Sequence, residues 1–538
     1  MNNLPEEIIC HILNQLDNSI DIFNFSLSNK YNRNLIKRNK EIFDCKTKLD
    51  KKYINEIDKL DIIGKIKIDI NRDSNISDIS IVKNCEEVNI KHCKSLKYVS
   101  FLGKVEYLNL TSCNNFSDVS MLKNVKKLNL SHCVSIKDVS MLGNVEELIL
   151  TGCMNIIDIS MLSKVKKLNL SHCYNIRDVS SLGNCEELNL YYCININDVS
   201  KLGKVKKLNL SHCYNIKDVS NLGNCEELNL TCCTEINDVS MLGKVNKLIL
   251  KLCKITDVSN LKNVYLDLSR CDNIIDVSKL INVNKLDLSY CSSIKDVSML
   301  RNLEELNLSH CRNIIDIYML GNVKKLDLSF CYNITDVSML GNVEELNLAG
   351  CTNIIDVSML GNVKKLNLSY CYKIKDVSML KNCEELNLSY CKGISDVYML
   401  GNVKKLDLSY SNKFIDVNML TNCIELDLSG CNRITDVSNL RNCIELNLSG
   451  CNGITDVSML GKVKKLNLSY CKKLTDVSNL GNCIELDLSG CNGITDVSML
   501  GKVKKLNLSY CEGITDVSML YNVEELNLSN CYRIIHKF

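Results

Sequence analysis

The 538-residue chain has one proline, no tryptophan and only eight phenylalanines, so its core must be aliphatic. No run of about 18 apolar residues occurs, and no membrane span is expected. Charge of one sign is missing too: 65 Lys+Arg stand against 63 Asp+Glu, a net of +2. That balance gives no long-range pull toward nucleic acid or an anionic membrane surface. The opening stretch MNNLPEEIICHIL carries acids where a secretory leader needs a basic start. The expected location is cytoplasmic or nuclear, where the 32 cysteines would be mostly reduced thiols. No Ser–His–acid set, P-loop or G-x-G-x-x-G is evident. No enzyme activity is therefore expected, and no cofactor.

What the chain has in abundance is repetition. LNLSHCYNIRDVS at 168–180 returns as LNLSHCYNIKDVS at 208–220. In blocks of twenty the consensus is V-x-x-L-x-L-x-x-C-x-x-I-x-D-V-S-x-L-x-x. The second leucine of L-x-L falls at Leu110, Leu130 and so on to Leu250. After a two-residue shortening it resumes at Leu268 and runs to Leu528, and Ile70 and Ile90 extend the row backwards. These anchors define about 24 turns over residues 61–538. L-x-L has the period of a strand with both leucines on one face. Seven apolar positions per turn cannot close a core alone, but stacked turns bury them continuously. About a dozen residues separate each cysteine from the next strand, too few for a full helix, so short helical turns are expected there.

The cysteine row poses the sharpest chemical question. Of the 32 cysteines, 22 hold the repeat position between Cys93 and Cys531. Seven more (Cys85, Cys185, Cys225, Cys383, Cys423, Cys443 and Cys483) replace the first valine of the consensus. No C-x-x-C pair exists, which removes the close ligand spacing of a zinc site. Neighbouring parallel strands would hold Cβ atoms about 5 Å apart, wide for a disulfide. Ser411 stands in one row position, which a core tolerates. The reading is core, each thiol donating weakly to a neighbouring carbonyl.

Other rows read the same way. Lys127, Glu147, Lys167, Glu187, Lys207, Glu227 and Lys247 alternate beside L-x-L, a self-neutralising ladder. It resumes with Lys285 and Glu305 and breaks at Glu425 and Glu445. Such a ladder is not the basic stripe a nucleic-acid groove needs. An aspartate opens D-V/I-x in 22 turns, Asp118 and Asp516 among them, and reads as a corner residue accepting backbone N–H bonds. The column after L-x-L holds His92, His132, His172 and His212, then Tyr192, Tyr290, Phe330, Tyr370, Tyr390, Tyr410, Tyr470 and Tyr510. Its later aromatics are candidate target-binding residues. They could equally stack on one another, and both readings stand at this point. No metal site is expected.

The consensus resembles the leucine-rich repeat, L-x-x-L-x-L-x-x-N/C-x-L, in its cysteine-containing class. That resemblance implies an α/β solenoid with a parallel sheet on the concave face and short helical turns on the convex side. Residues 1–40 break the frame and resemble an F-box, roughly L-P-x-E-I-L-x-x-I-L-x-x-L. Leu4, Pro5, Glu7, Ile8, Ile9, Ile12, Leu13, Leu16, Asp21, Ile22 and Phe23 match in order, while the expected Val-Cys-Lys-x-Trp tail is replaced by Leu27-Ser28-Asn29-Lys30-Tyr31. Residues 41–60 would be a linker and first cap. The pairing resembles F-box leucine-rich-repeat proteins, and the Asn, Ile and Lys bias resembles giant-virus members. The resemblance implies a small all-α segment whose Leu4, Pro5, Ile8, Ile9, Ile12, Leu13, Leu16, Ile22 and Phe23 dock on a Skp-type adaptor of a cullin ubiquitin ligase. For a viral chain that adaptor would belong to the host cell. The solenoid would hold an unknown target protein. The alternative is a leucine-rich scaffold that recruits no ligase.

Overall fold

The structure, a computed structural model, describes residues 46–47, 64–71 and 85–535, with side chains from residue 86 onward. The F-box-like segment, with all nine adaptor-facing residues from Leu4 to Phe23, lies outside the described residues. So does most of the 41–60 linker, although Lys46–Thr47 forms a short strand parallel to Lys67 and Ile68. By its contacts the chain divides into two units, Met1–Leu266 and Asp267–Phe538.

Both units are built from the same turn. In the turn 125–144 the strand is only Lys127–Asn129. Leu128 and Leu130 are buried beneath it, while Lys127 faces solvent. After the strand Asn129 braces the bend: its Oδ1 accepts the Ser131 N–H at 2.9 Å and the Ser131 hydroxyl at 2.6 Å. His132 then adopts a left-handed backbone, φ 59°, and the Cys133 N–H closes onto the Leu130 carbonyl at 3.1 Å. At the far corner Asp138 Oδ1 accepts the Ser140 N–H at 2.9 Å. The single 3-10 turn Ser140–Asn144 carries the chain back, and the Val145 N–H donates to Leu142 O. A 3-10 turn fits where an α-helix does not, because it closes in three residues.

Stacking adds one strand per twenty residues. Lys127 and Leu128 pair with Glu147 and Leu148 in the first unit, and Lys325 and Leu326 with Glu345 and Leu346 in the second. All pairings are parallel, so each turn repeats the last one in register. Leu128, Leu130, Cys133, Ile136, Val139, Leu142 and Val145 are at most 1% exposed, and the same positions are buried in turn after turn. One face of each sheet therefore covers the core and the other is open.

The thiol row is part of that core. From Cys133 to Cys253 and from Cys291 to Cys531 the row thiols donate to the carbonyl of the second leucine one turn earlier: Cys133 Sγ to Leu110 O at 3.1 Å, Cys391 Sγ to Leu368 O at 3.0 Å. Ser411 makes the same bond with its hydroxyl, to Leu388 O at 3.0 Å. None of the 29 cysteines with described side chains is in a disulfide, and all but Cys232 and Cys531 are buried. Burial pushes the Cys391 thiol up to about 12 and the Cys383 thiol to about 11, which keeps both protonated at neutral pH. No three His, Cys, Asp or Glu side chains converge as a metal site among the described residues. Nor is any helix among them long and apolar enough to cross a membrane.

The shortened turn is absorbed locally. One residue is lost between Cys253 and Ile255 and one between Leu261 and Asn263. Asn263 takes the consensus valine slot at 1% exposure. Its Nδ2 donates to Leu242 O at 3.0 Å and Val245 O at 2.6 Å, tying the irregular turn to the one before it.

Candidate protein-interaction surface

The open face of the sheet carries three parallel rows fixed by the strand period. The first is the charge ladder. Lys127 meets Glu147 at 3.0 Å, Lys167 meets Glu187 at 3.2 Å and Lys207 meets Glu227 at 3.1 Å. In the second unit Lys285 meets Glu305 at 2.8 Å and Lys365 meets Glu385 at 3.3 Å. Where the alternation fails, the two acids turn apart: Glu425 pairs with Lys405 and Glu445 with Lys465, each at 2.9 Å. These side chains are about one-third to one-half exposed, so solvent screening leaves each pair a weak contribution. Their effect is to leave a polar face with no net sign.

The second row is the Asn/Asp column at the strand ends, interrupted only by Ile149 and Ile249 among the described strands from Tyr107–Asn109 onward. It is also cross-linked: Asn307, Asn347, Asn447 and Asn507 donate to the aspartate one turn earlier at 2.8–3.1 Å. Asp407 and Asp427 are neighbours with no asparagine between them. Burial, reinforced by the Asp427 charge, raises the Asp407 carboxyl above its ordinary value despite the Ser409 N–H bond.

The third row is the aromatic column at the strand's end. Its residues share a left-handed backbone, with φ from 56° to 63° in eighteen non-glycine residues. That conformation costs on the order of 1 kcal/mol in each. In sixteen of the eighteen it is held by an N–H bond to the next turn, as in Tyr370 N–H to Ser389 O at 2.9 Å. Glycine stands in the same column at Gly152, Gly350, Gly430, Gly450 and Gly490, with φ from 68° to 71°. Glycine recurring among bulky residues in one column is the signal that would have revealed this backbone from the repeats alone.

The later aromatics stack along the row. Tyr290, His310 and Phe330 stack nearly parallel at 4.2 and 4.6 Å, with the Arg270 guanidinium 4.3 Å over Tyr290. Tyr370, Tyr390 and Tyr410 stack at 4.6 and 4.7 Å. Each stack ends on a glycine, since a Cβ at Gly350 or Gly430 would lie 2.7–2.8 Å from the Phe330 or Tyr410 ring. Tyr470 likewise covers Gly490. Stacking and exposure coexist: Tyr290, Tyr370, Tyr410, Tyr470 and Tyr510 remain 38–54% exposed.

The sequence reading missed a ring cluster in the first unit. Tyr191 is the one aromatic in a column otherwise mostly of serines and threonines. It packs edge-on against His172 and His212 at 5.0 and 5.3 Å, and Tyr192 sits between the same two histidines. His172 and His212 each hydrogen-bond a tyrosine, Tyr174 at 3.1 Å and Tyr214 at 2.9 Å. The dipeptide Tyr191-Tyr192 was its only mark in the sequence.

No protein-family model matches the chain, and no curated protein does. Among solved structures, the functional domain of InlJ from Listeria monocytogenes, which includes a cysteine ladder, is 20% identical over 72% of this chain and 74% of that one, at a TM-score of 0.33. TLR13 in its complex with ssRNA13 is 19% identical over 86% and 80%, at 0.44. The plant peptide hormone receptor RGFR1 in complex with RGF2 is 15% identical over 86% and 85%, at 0.33. Likeness at this level carries no argument about function. It is the twenty-residue turn, with one short parallel strand, a buried Leu-x-Leu pair and a single 3-10 return, that makes the fold a leucine-rich-repeat solenoid.

Proposed function

We propose that the chain is a non-catalytic protein-binding receptor, and specifically the substrate receptor of a Skp–cullin–F-box-type ubiquitin ligase in the cytoplasm or nucleus. The observation that carries the binding role is the open sheet face. In-register rows in each unit place exposed rings beside a charge-neutral ladder, a surface suited to a protein rather than to polyanions. The recruiting role rests on the sequence of residues 4–23 and its resemblance to an F-box. In this reading those residues hold the adaptor, the solenoid holds the target, and ubiquitin transfer is done by other subunits through proximity.

The test is adaptor binding by the full-length chain. Wild-type protein is expected to retain purified Skp adaptor on a column. The double variant Leu4→Ala/Ile12→Asp is expected to lose it while its circular dichroism stays unchanged. Retention by the folded double variant overturns the assigned interface. If the wild-type chain does not bind the adaptor, a leucine-rich scaffold without ligase recruitment is the reading that remains.

A further inference from the structure

The turn side of the second unit carries an apolar stripe that folding does not require. Seven methionines at twenty-residue intervals, from Met299 to Met419, sit on consecutive returns. All seven are exposed, by 36% to 60%. The frame position tolerates polar side chains elsewhere: Ser181, Lys201, Asn221, Lys279, Asn439 and Asn479 occupy it in other turns. The core beneath is unchanged, since Leu300, Leu320 and Leu340 are as buried as Leu280 and Leu440. An unbroken apolar run over seven turns is thus surplus to the fold, and methionine suits it to an irregular partner surface. Ile315 and Ile355, 67% and 64% exposed, and Tyr318 and Tyr398, 62% and 59%, widen the stripe.

A carboxylate row runs beside it. Each methionine follows its corner aspartate by three residues, so Asp296 to Asp416 contribute seven exposed acids in parallel with the stripe. The bases within the same returns are Lys295, Lys375, Arg301 and Lys381, which leaves an acidic excess of three. The N–H bonds from Ser298, Ser338, Ser358 and Ser378 hold the Asp296, Asp336, Asp356 and Asp376 carboxyls below their ordinary value, so they stay ionised.

We infer that this stripe docks a cationic amphipathic helix of a partner protein, apolar side chains on the methionines and lysines or arginines on the aspartates. Charge selects among occupants. An anionic membrane would be repelled by the acid row, and a second copy docked stripe to stripe would set acids against acids. Spacing selects a helix. Turns recur at about 5 Å, close to the ~5.4 Å pitch at which i, i+3/i+4 and i+7 side chains line one helix face. Six intervals make roughly 29 Å, the length of a helix of about 19 residues. This surface is separate from the sheet face assigned above to the target, and it stands whether or not an adaptor binds.

The experiment uses the full-length chain and a fluorescein-labelled 19-residue helical peptide carrying leucines on one stripe and lysines flanking it. Anisotropy is expected to show binding that rises as salt falls. The variant Met339→Gln/Met359→Gln/Met379→Gln should weaken it about tenfold, and Met339→Leu/Met359→Leu/Met379→Leu should restore it. The same peptide with glutamate for lysine should not bind, nor should a shuffled one. Equal binding by the glutamine variant or by the shuffled peptide overturns the proposal. So does no binding at ~100 μM peptide. Binding to phosphatidylserine vesicles that the glutamine variant abolishes, or self-association that it dissolves, would likewise assign the stripe to a lipid surface or a second copy instead.

Discussion

Leu368→Ala is expected to destabilise the second unit by about 2–5 kcal/mol, the range for truncating a fully buried leucine that leaves a cavity. Leu368 has 0% exposure, and its N–H is tied to Asn387 O of the next turn at 2.8 Å. In a stacked array each turn touches only its neighbours, so the loss is local. Hydrogen exchange should show amides between about residues 345 and 391 losing protection while turns beyond residue 440 keep theirs. Cys371→Ser in the same layer is expected to cost only about 1 kcal/mol. The hydroxyl can take over the thiol's bond to Leu348 O, as Ser411 does with Leu388 O. A serine variant that loses as much as the leucine variant would show that the thiol row does more than pack.

The second large effect is acid unfolding. Sixteen corner aspartates, among them Asp118, Asp138, Asp336 and Asp456, have their carboxyls held low, chiefly by the N–H or hydroxyl of the serine two residues on. A carboxyl whose folded value lies below its unfolded value stabilises the fold fully above the unfolded value, ~3.9 for aspartate. That contribution is lost as pH falls through this value and on through the folded one. Each group is exposed and individually weak, but all titrate together, so unfolding takes up several protons at once. Asp407, pushed up by burial, acts in the opposite sense as a single group. The thermal midpoint should hold between about pH 6 and 5 and fall steeply below about pH 4. Asp336→Asn/Asp356→Asn should make that fall shallower. A midpoint unchanged between about pH 5 and 3 would contradict the role given to the corners.

The sequence made the repeat legible because period and burial are the same information in a solenoid. L-x-L, the row cysteine, the corner aspartate and the Lys/Glu alternation each recur in a fixed place, and each does in the structure what its chemistry suggested. The left-handed backbone under Tyr290, His310 and Phe330 was not legible, because an apolar period does not encode the sign of φ. The ring stacks follow from that backbone and were one of two open readings. The methionine stripe escaped notice for a different reason. Met339 and its equivalents lie between buried positions such as Val337 and Leu340, and only the solvent exposure of the return separates them from core. The segment from Leu4 to Phe23 rests on sequence resemblance, and the adaptor experiment is its test.

A solenoid that binds without thiol or metal chemistry, as proposed, requires its cysteine row to stay reduced and buried in the core. Native and urea-unfolded protein should be treated in parallel with an alkylating reagent and the sites read by mass spectrometry. Of the 29 cysteines with described side chains, Cys232 and Cys531 should react in the native chain and the 27 buried ones only after unfolding. Rapid native alkylation along the row from Cys93 to Cys511, or protection that a metal chelator removes, would contradict it.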